Sequence, residues 1–191
     1  MPNFNKKLSD TSVRIGEVRF SYVHVFTPRA NEDGTPGKYS AQLLIPKSNK
    51  EAVKLINEAI NAAKEAGKTS KWSGKIPARL TSPLRDGDEE HPEEENYEGM
   101  WVMNTSSGAN YRPTVKIRED GKLVDPLDQE EFYSGCWGCA VINFYPYSFN
   151  GNNGVTAGLN LVLKTRDDKS LAGGMSAEAA FGDLADDDFL D

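Results

Sequence analysis

Cations and aromatic rings are interleaved at three places in this 191-residue chain. Lys71-Trp72 is followed by Lys75 and Arg79, Trp101 leads through Tyr111-Arg112 toward Lys116, and Tyr145-Pro-Tyr-Ser-Phe149 is a run of rings. Arg118, Lys164 and Arg166 add further charge. Unpaired polynucleotides call for this pairing: cations neutralise phosphates and release counterions, while rings stack on bases at about 1–3 kcal/mol each. Lys71, Trp72, Lys75, Arg79, Trp101, Tyr111, Arg112, Lys116, Tyr145, Tyr147 and Phe149 are therefore candidates for one groove. Taken singly, each ring reads as well as a core or rim residue. Trp137, set between glycines and followed by a strand, is expected in the core.

Other groupings carry less. Cys136-Trp-Gly-Cys139 has the spacing of a redox pair or half a zinc site, but no second Cys or Cys/His pair completes four ligands. A redox pair of this type should open a helix, whereas Ala140-Val-Ile-Asn-Phe144 is strand-like, so strand packing is expected. Asp86-Gly-Asp-Glu-Glu-His91 could gather a hard cation, yet its order fits no calcium-loop pattern and it reads as a solvated acidic loop. His24 falls in a strand and His91 in that loop, and no Ser or Cys has the context of a nucleophile, so no enzyme and no cofactor are expected. The stretch Asn104–Pro113 is small and polar, suited to phosphate or sugar contacts or to an ordinary turn.

Charge is segregated along the chain. The net charge is −7, from 22 basic and 29 acidic residues. Residues 86–98 hold eight of the carboxylates and residues 176–191 hold six, neither with any Lys or Arg. Setting those aside leaves 15 acidic against 22 basic residues, a balance of +7. A mildly basic body can bind a polyanion, and a detachable acidic arm can regulate that binding. The last residues, with Asp183, Asp186, Asp187, Asp188 and Asp191 around Phe189, cannot bury enough apolar surface to offset ordering, so 173–191 is expected as a disordered, flexible acidic tail. A purely solvated end has no use for a bulky ring, whereas a tail that docks on a partner does. Residues 1–172 form the expected folded domain. Met1–Asp10 lacks a signal-peptide apolar block and no run of 18 apolar residues occurs, so a cytoplasmic protein that does not meet the membrane is expected.

The elements that must position these groups are mostly strands. Val13, Ile15, Val18 and Phe20 alternate on one face, and Tyr22–Phe26 continues with β-formers. Residues 28–37 read as a loop and Lys38–Ile45 as a strand stopped by Pro46. One helix follows, with Ser48 and Glu51 as capping box, Val53, Ile56, Ile60 and Ala63 on its apolar face, and Gly67 as its stop. Further strands are expected over 99–104, 114–118, 123–124, 136–147 and 155–165, with turns at Asp120-Gly121 and 150–154. One helix among six or seven short strands predicts a mainly β fold, a barrel or sandwich with the helix inserted.

Several blocks carry a resemblance: Phe20-Ser-Tyr22, Lys38-Tyr-Ser40, Leu44-Ile-Pro-Lys47, Leu84-Arg-Asp-Gly-Asp88, Tyr97-Glu-Gly99, Tyr133-Ser-Gly-Cys-Trp137, Asn143-Phe-Tyr145 and Gly158-Leu-Asn160. With them most of residues 13–181 resembles a phage family of single-stranded DNA-binding proteins, formerly grouped as a domain of unknown function (DUF2815). The resemblance implies an OB-fold-like antiparallel barrel with single-stranded DNA in its groove. It also implies an Asp-rich tail that engages replication or recombination proteins and competes with DNA. Two other classes compete with this expectation: a metal-dependent nuclease using the carboxylates of 86–98, and a DNA-mimic or structural interaction protein acting through its acidic segments.

Overall fold

The alternation of Val13, Ile15, Val18 and Phe20 becomes the inner face of β2 (Ser12–His24), the strand from which the rest of the molecule is hung. The computed structural model describes residues 3–173 and Ala180, so the expectations placed on Asp183, Asp186, Asp187, Asp188, Phe189 and Asp191 lie outside the described residues. In chain order the elements are β1 (Lys6–Lys7), β2, β3 (Tyr39–Pro46), α1 (Lys50–Ser70), β4 (Leu84–Asp86), α2 (Gly87–Glu90), β5 (Met100–Ser107), β6 (Thr114–Glu119), β7 (Lys122–Val124), β8 (Trp137–Phe149) and β9 (Asn152–Arg166).

Five strands form a ring. β5, β3, β2, β8 and β9 are successive antiparallel neighbours, and β9 returns to β5 through one parallel bridge, Ser106 to Gly158. The ring settles the choice between barrel and sandwich in favour of a closed barrel. β6 continues the sheet in parallel along the later part of β9, pairing Thr114–Ile117 with Leu161–Lys164, and β7 is its hairpin partner. Inward residues from all five ring strands, among them Phe20, Leu43, Met103, Ile142 and Leu159, share one core with Ala52, Ile56, Ala59, Ile60 and Ala63 of α1. Among the described residues no helix is long and apolar enough to cross a membrane.

The two hairpins follow from their turn residues. Asn150 and Gly151 have φ of 49° and 75°, Asp120 and Gly121 φ of 48° and 75°, the paired positive values that a two-residue turn needs to match strand twist. The turn after β8 is narrower than the expected 150–154, because Asn152, Asn153 and Gly154 already pair with Phe149, Ser148 and Tyr147.

Both ends of α1 differ from expectation. Its N-cap is Asn49 rather than Ser48. The Asn49 Oδ1 accepts from the Ala52 N–H at 3.2 Å and from the Asn5 amide at 2.9 Å, while Nδ2 donates to the Gly16 carbonyl at 2.8 Å. The carboxamide reaches all three because its acceptor and its donor sit on separate atoms, Oδ1 and Nδ2. Nor does Gly67 end the helix, which runs on to Ser70. A Cβ at Gly67 would stand 2.6 Å from Trp72 Cζ3 and 2.6 Å from Pro146 Cβ, so the glycine is there for close approach.

The acidic segment is not a loose loop. Lys47 pairs with Asp86 and with Asp88 (2.7 Å), Arg85 with Glu90 (2.9 Å), and Asp88 Oδ1 accepts the Gly99 N–H at 2.9 Å. His91 stacks on Tyr97 with ring centres 3.9 Å apart. The segment is thus an ordered strap over β3 and β5, with Tyr97 packed on the outward Leu44 and Val102.

Candidate nucleic-acid interface

Strand alternation decides which side chains the barrel offers to the outside. From β3 these are Ser40 and Gln42, from β5 Asn104 and Ser106, from β9 Thr156 and Gly158, and from β8 Tyr145 and Tyr147. Tyr22, Arg29, Ser40, Gln42, Asn104, Ser106 and Thr156 line an open groove of about 440 Å³ over the β3–β5–β9 surface. Its floor is the seam where Ser106 meets Gly158.

Local structure explains each wall. The Tyr97 hydroxyl donates to Gln42 Oε1 at 2.9 Å and Gln42 Nε2 donates to Asn104 Oδ1 at 3.1 Å. That chain leaves the Asn104 Nδ2 donors without a partner among the described residues, on an exposed side chain of the groove. Arg29 sits at the base of the β2–β3 connection, where its N–H donates to Lys38 and its carbonyl accepts from Gly37. Gly37 is required there, because a Cβ would fall 2.4 Å from the Arg29 oxygen. Burial first, and Arg29 second, hold the His24 imidazole below its ordinary pKa, so it stands neutral beside the guanidinium at pH 7. Burial, then the neighbouring Tyr22 and Glu94, raise the Tyr97 phenol, which stays a donor.

Two rings lie down over glycines of β9, and only Gly154 is needed for the close approach. A Cβ at Gly158 would meet Tyr145 Cε1 at 3.4 Å, and one at Gly154 would meet the Tyr147 hydroxyl at 2.8 Å. Tyr145 therefore borders the groove, and Tyr147 and the 71 % exposed Phe149 continue its face along the hairpin. The connection after α1 is lashed to the same hairpin: Thr81 bridges Gly154, its N–H donating to Asn153 and its carbonyl accepting from Val155. Lys71, Lys75 and Arg79 are exposed along that connection.

Other expected site residues are placed elsewhere. Trp72 is only 8 % exposed and packs on Gly67, so it has no free ring face to stack on a base. Trp101 points inward from β5 and packs on the core, half-buried, with Lys47 Nζ 5.1 Å above its ring. Tyr111 is 75 % exposed on the β5–β6 loop, but neighbouring Arg112 lies over Phe26 at 5.5 Å, in a separate hollow with Asp125. Lys116 is engaged by Asp125 at 2.6 Å. Trp137 is not a core residue: register places it between Arg19 and Arg166, whose guanidinium carbons lie 6.0 and 4.4 Å from its ring. Its indole donates to Asp168 at 2.8 Å. Cys136 and Cys139 are buried thiols, each pushed up to about 11 by desolvation, as strand packing requires.

Reading by segment missed Tyr22, Arg29, Ser40, Gln42 and Thr156. The stretch from Asn104 did stand out, but Asn104–Ser107 belongs to β5 rather than to a loop. The chain after β9 is anchored beside the same site. Arg19 donates to the Lys169 carbonyl at 2.8 Å and the Leu171 N–H to Ser134 at 2.8 Å. Leu171–Gly173 then line a second hollow with Tyr22, His24 and Tyr97.

A closed five-stranded barrel with an open groove across its strands, walled by rings, amides and a guanidinium, is an OB-fold. The chain belongs to the family described as Enterobacter phage Enc34, ssDNA-binding protein, whose profile matches residues 11–190. It is 30 % identical over 183 residues to putative protein p50 of Acyrthosiphon pisum secondary endosymbiont phage 1, covering 91 % of this chain and 94 % of that protein. The single-stranded DNA-binding protein of bacteriophage Enc34, solved in complex with ssDNA, superposes with a TM-score of 0.75 at 29 % identity, over 90 % of this chain and 96 % of that one. Its C-terminal truncation gives 0.73 at 28 % identity, over 90 % and 95 %.

Proposed function

We propose that this chain binds single-stranded DNA, largely without regard to sequence, in the groove across β3, β5, β9 and β8. It would protect and organise that DNA during phage replication, recombination or repair in the host-cell cytoplasm. The observation that carries the reading is the continuous outward strip from Arg29, Gln42 and Asn104 across the seam to Tyr145 and Tyr147. Cation, amide donors and rings then meet phosphate, base edge and base face in one place. Lys71, Lys75, Arg79 and Phe149 extend the strip along the hairpin, and Tyr111 flanks its other end. The solved Enc34 relative in complex with ssDNA supports the same assignment. The proposed role is binding, which a lining of amides, hydroxyls, rings and one guanidinium serves. Titrating fluorophore-labelled oligo-dT by anisotropy, with unlabelled duplex as competitor, tests the reading, and a flat isotherm overturns it.

Residues 1–172 act as the binding domain and 173–191 as the tail in this proposal. The tail's five terminal aspartates would compete with DNA for the groove, and Phe189 would recruit replication or recombination proteins. Support comes from where the chain leaves the barrel, since Gly173 and Tyr22 line the same hollow.

A further inference from the structure

We infer that Tyr22 is a base-stacking residue of the groove, turned outward by a kink in β2. The inference rests on the proposed function and names the ring that grips the ligand.

Strand parity puts residue 22 on the same side as residue 20, and Phe20 lies wholly inside the barrel. A regular β2 would therefore bury Tyr22. The β2–β3 register shows what happens instead. Phe20 faces Leu43 and Ser21 faces Gln42, but pairing resumes only at His24 with Ser40, so β2 carries one extra residue. Within that bulge Tyr22 has φ of 46°, a left-handed conformation that costs a bulky L-residue and persists only where surroundings impose it. The imposing contacts come from the residues before β8. The Gly135 N–H donates to the Phe20 carbonyl at 2.7 Å, the Phe20 N–H to Cys136 at 3.0 Å, and the Val23 N–H to Ser134 Oγ at 3.1 Å.

The outcome is a tyrosine 64 % exposed that stands between the groove holding Arg29 and Asn104 and the hollow holding Gly173. Folding alone favours burying an aromatic ring and relaxing its backbone; here the chain does neither. A largely exposed ring that lines one groove with a guanidinium is the arrangement that takes one base on its face while the cation meets the adjoining phosphate.

The test uses the full chain, a labelled dT 20-mer and thermal unfolding of wild type, Tyr22→Gly and Tyr22→Phe. Glycine takes φ of 46° freely, so Tyr22→Gly should melt at or above the wild-type temperature while its dT affinity falls about tenfold or more. Tyr22→Phe keeps the ring and should bind within about twofold of wild type. Three results overturn the inference. These are Tyr22→Gly binding as wild type does; Tyr22→Gly losing affinity only together with stability, which would make Tyr22 a fold residue; and Tyr22→Phe losing as much as Tyr22→Gly. Failure of the wild type itself to bind in the same titration would overturn the proposed function instead, so the two failures are separable.

Discussion

The indole N–H of Trp72 donates to the main-chain carbonyl of Tyr147 at 3.3 Å, which makes one aromatic the fastener of another. Trp72 lies just beyond α1 and Tyr147 lies on the outward face of β8. The contact fixes the hairpin that presents Tyr145, Tyr147 and Phe149, so the tryptophan contributes to the candidate interface without touching it.

Gly67→Ala should therefore destabilise the protein. Alanine favours a helix interior by up to about 1 kcal/mol, but its methyl would collide with Trp72 and Pro146, and overpacking of this kind costs roughly 1–3 kcal/mol. Urea unfolding should show a net loss of about 1 kcal/mol or more. An unchanged midpoint would mean that the indole shifts freely, contrary to its role as a fastener.

Binding to oligo-dT should weaken steeply with salt. With about four to six phosphates contacted, log K should fall against log salt with a slope of about −3 to −4. Arg29→Ala should reduce that slope by about 0.7, one phosphate's share. Tyr145→Ala should leave the slope alone and cost about 1–3 kcal/mol of affinity. A slope near zero in the wild type rules the mechanism out.

Deleting residues 181–191 should tighten oligonucleotide binding, most visibly at low salt. A tethered tail works at an effective concentration around millimolar, so even weak docking masks the groove. Equal or weaker binding by the truncated protein counts against self-masking. Phe189→Ala separates the second role: capture of a replication partner should fail while DNA affinity stays unchanged.

The strap over β3 and β5 should be sensitive to acid through Lys47. Hydrogen bonds from Lys47 are the first cause lowering the pKa values of Asp86 and Asp88, and their bonds in turn raise that of Lys47. Carboxylates depressed in this way contribute stability that is present above their unfolded value of about 3.9 and is lost as pH falls through the folded values. The raised lysine contributes below about 10.4 and loses its share at higher pH. Lys47→Met should thus lower the melting temperature at pH 7, and the gap from wild type should close as pH drops below about 3.9. A gap that stays constant down to pH 2 would show that packing on Trp101, rather than charge, is what the lysine supplies.

Legibility in the sequence followed the range of the interaction. Strand alternation at Val13–Phe20 and the Asn150-Gly151 and Asp120-Gly121 turns are local, and each stands where its residues indicate. Gly67 misled because a glycine that ends a helix and one that admits a neighbour look identical until Trp72 and Pro146 are seen beside it. Trp137 misled for the same reason: its glycine neighbours suggest burial, while Arg19 and Arg166 arrive from strands 118 residues before it and 29 residues after it. The groove draws Tyr22, Arg29, Asn104 and Thr156 from four separate segments, so no single window of sequence contains its signature. The rings of 145–149, on the surface next to it, do share one window, because one strand carries all three.

Around most of its circumference the barrel is laced by ladders many residues long, yet β5 and β9 are joined by the single pair Ser106–Gly158. The hoop consequently has one clasp, and the clasp lies beneath the path proposed for DNA. A strand of DNA laid across it would splint both lips, so that filling the groove and keeping the hoop shut become the same mechanical event.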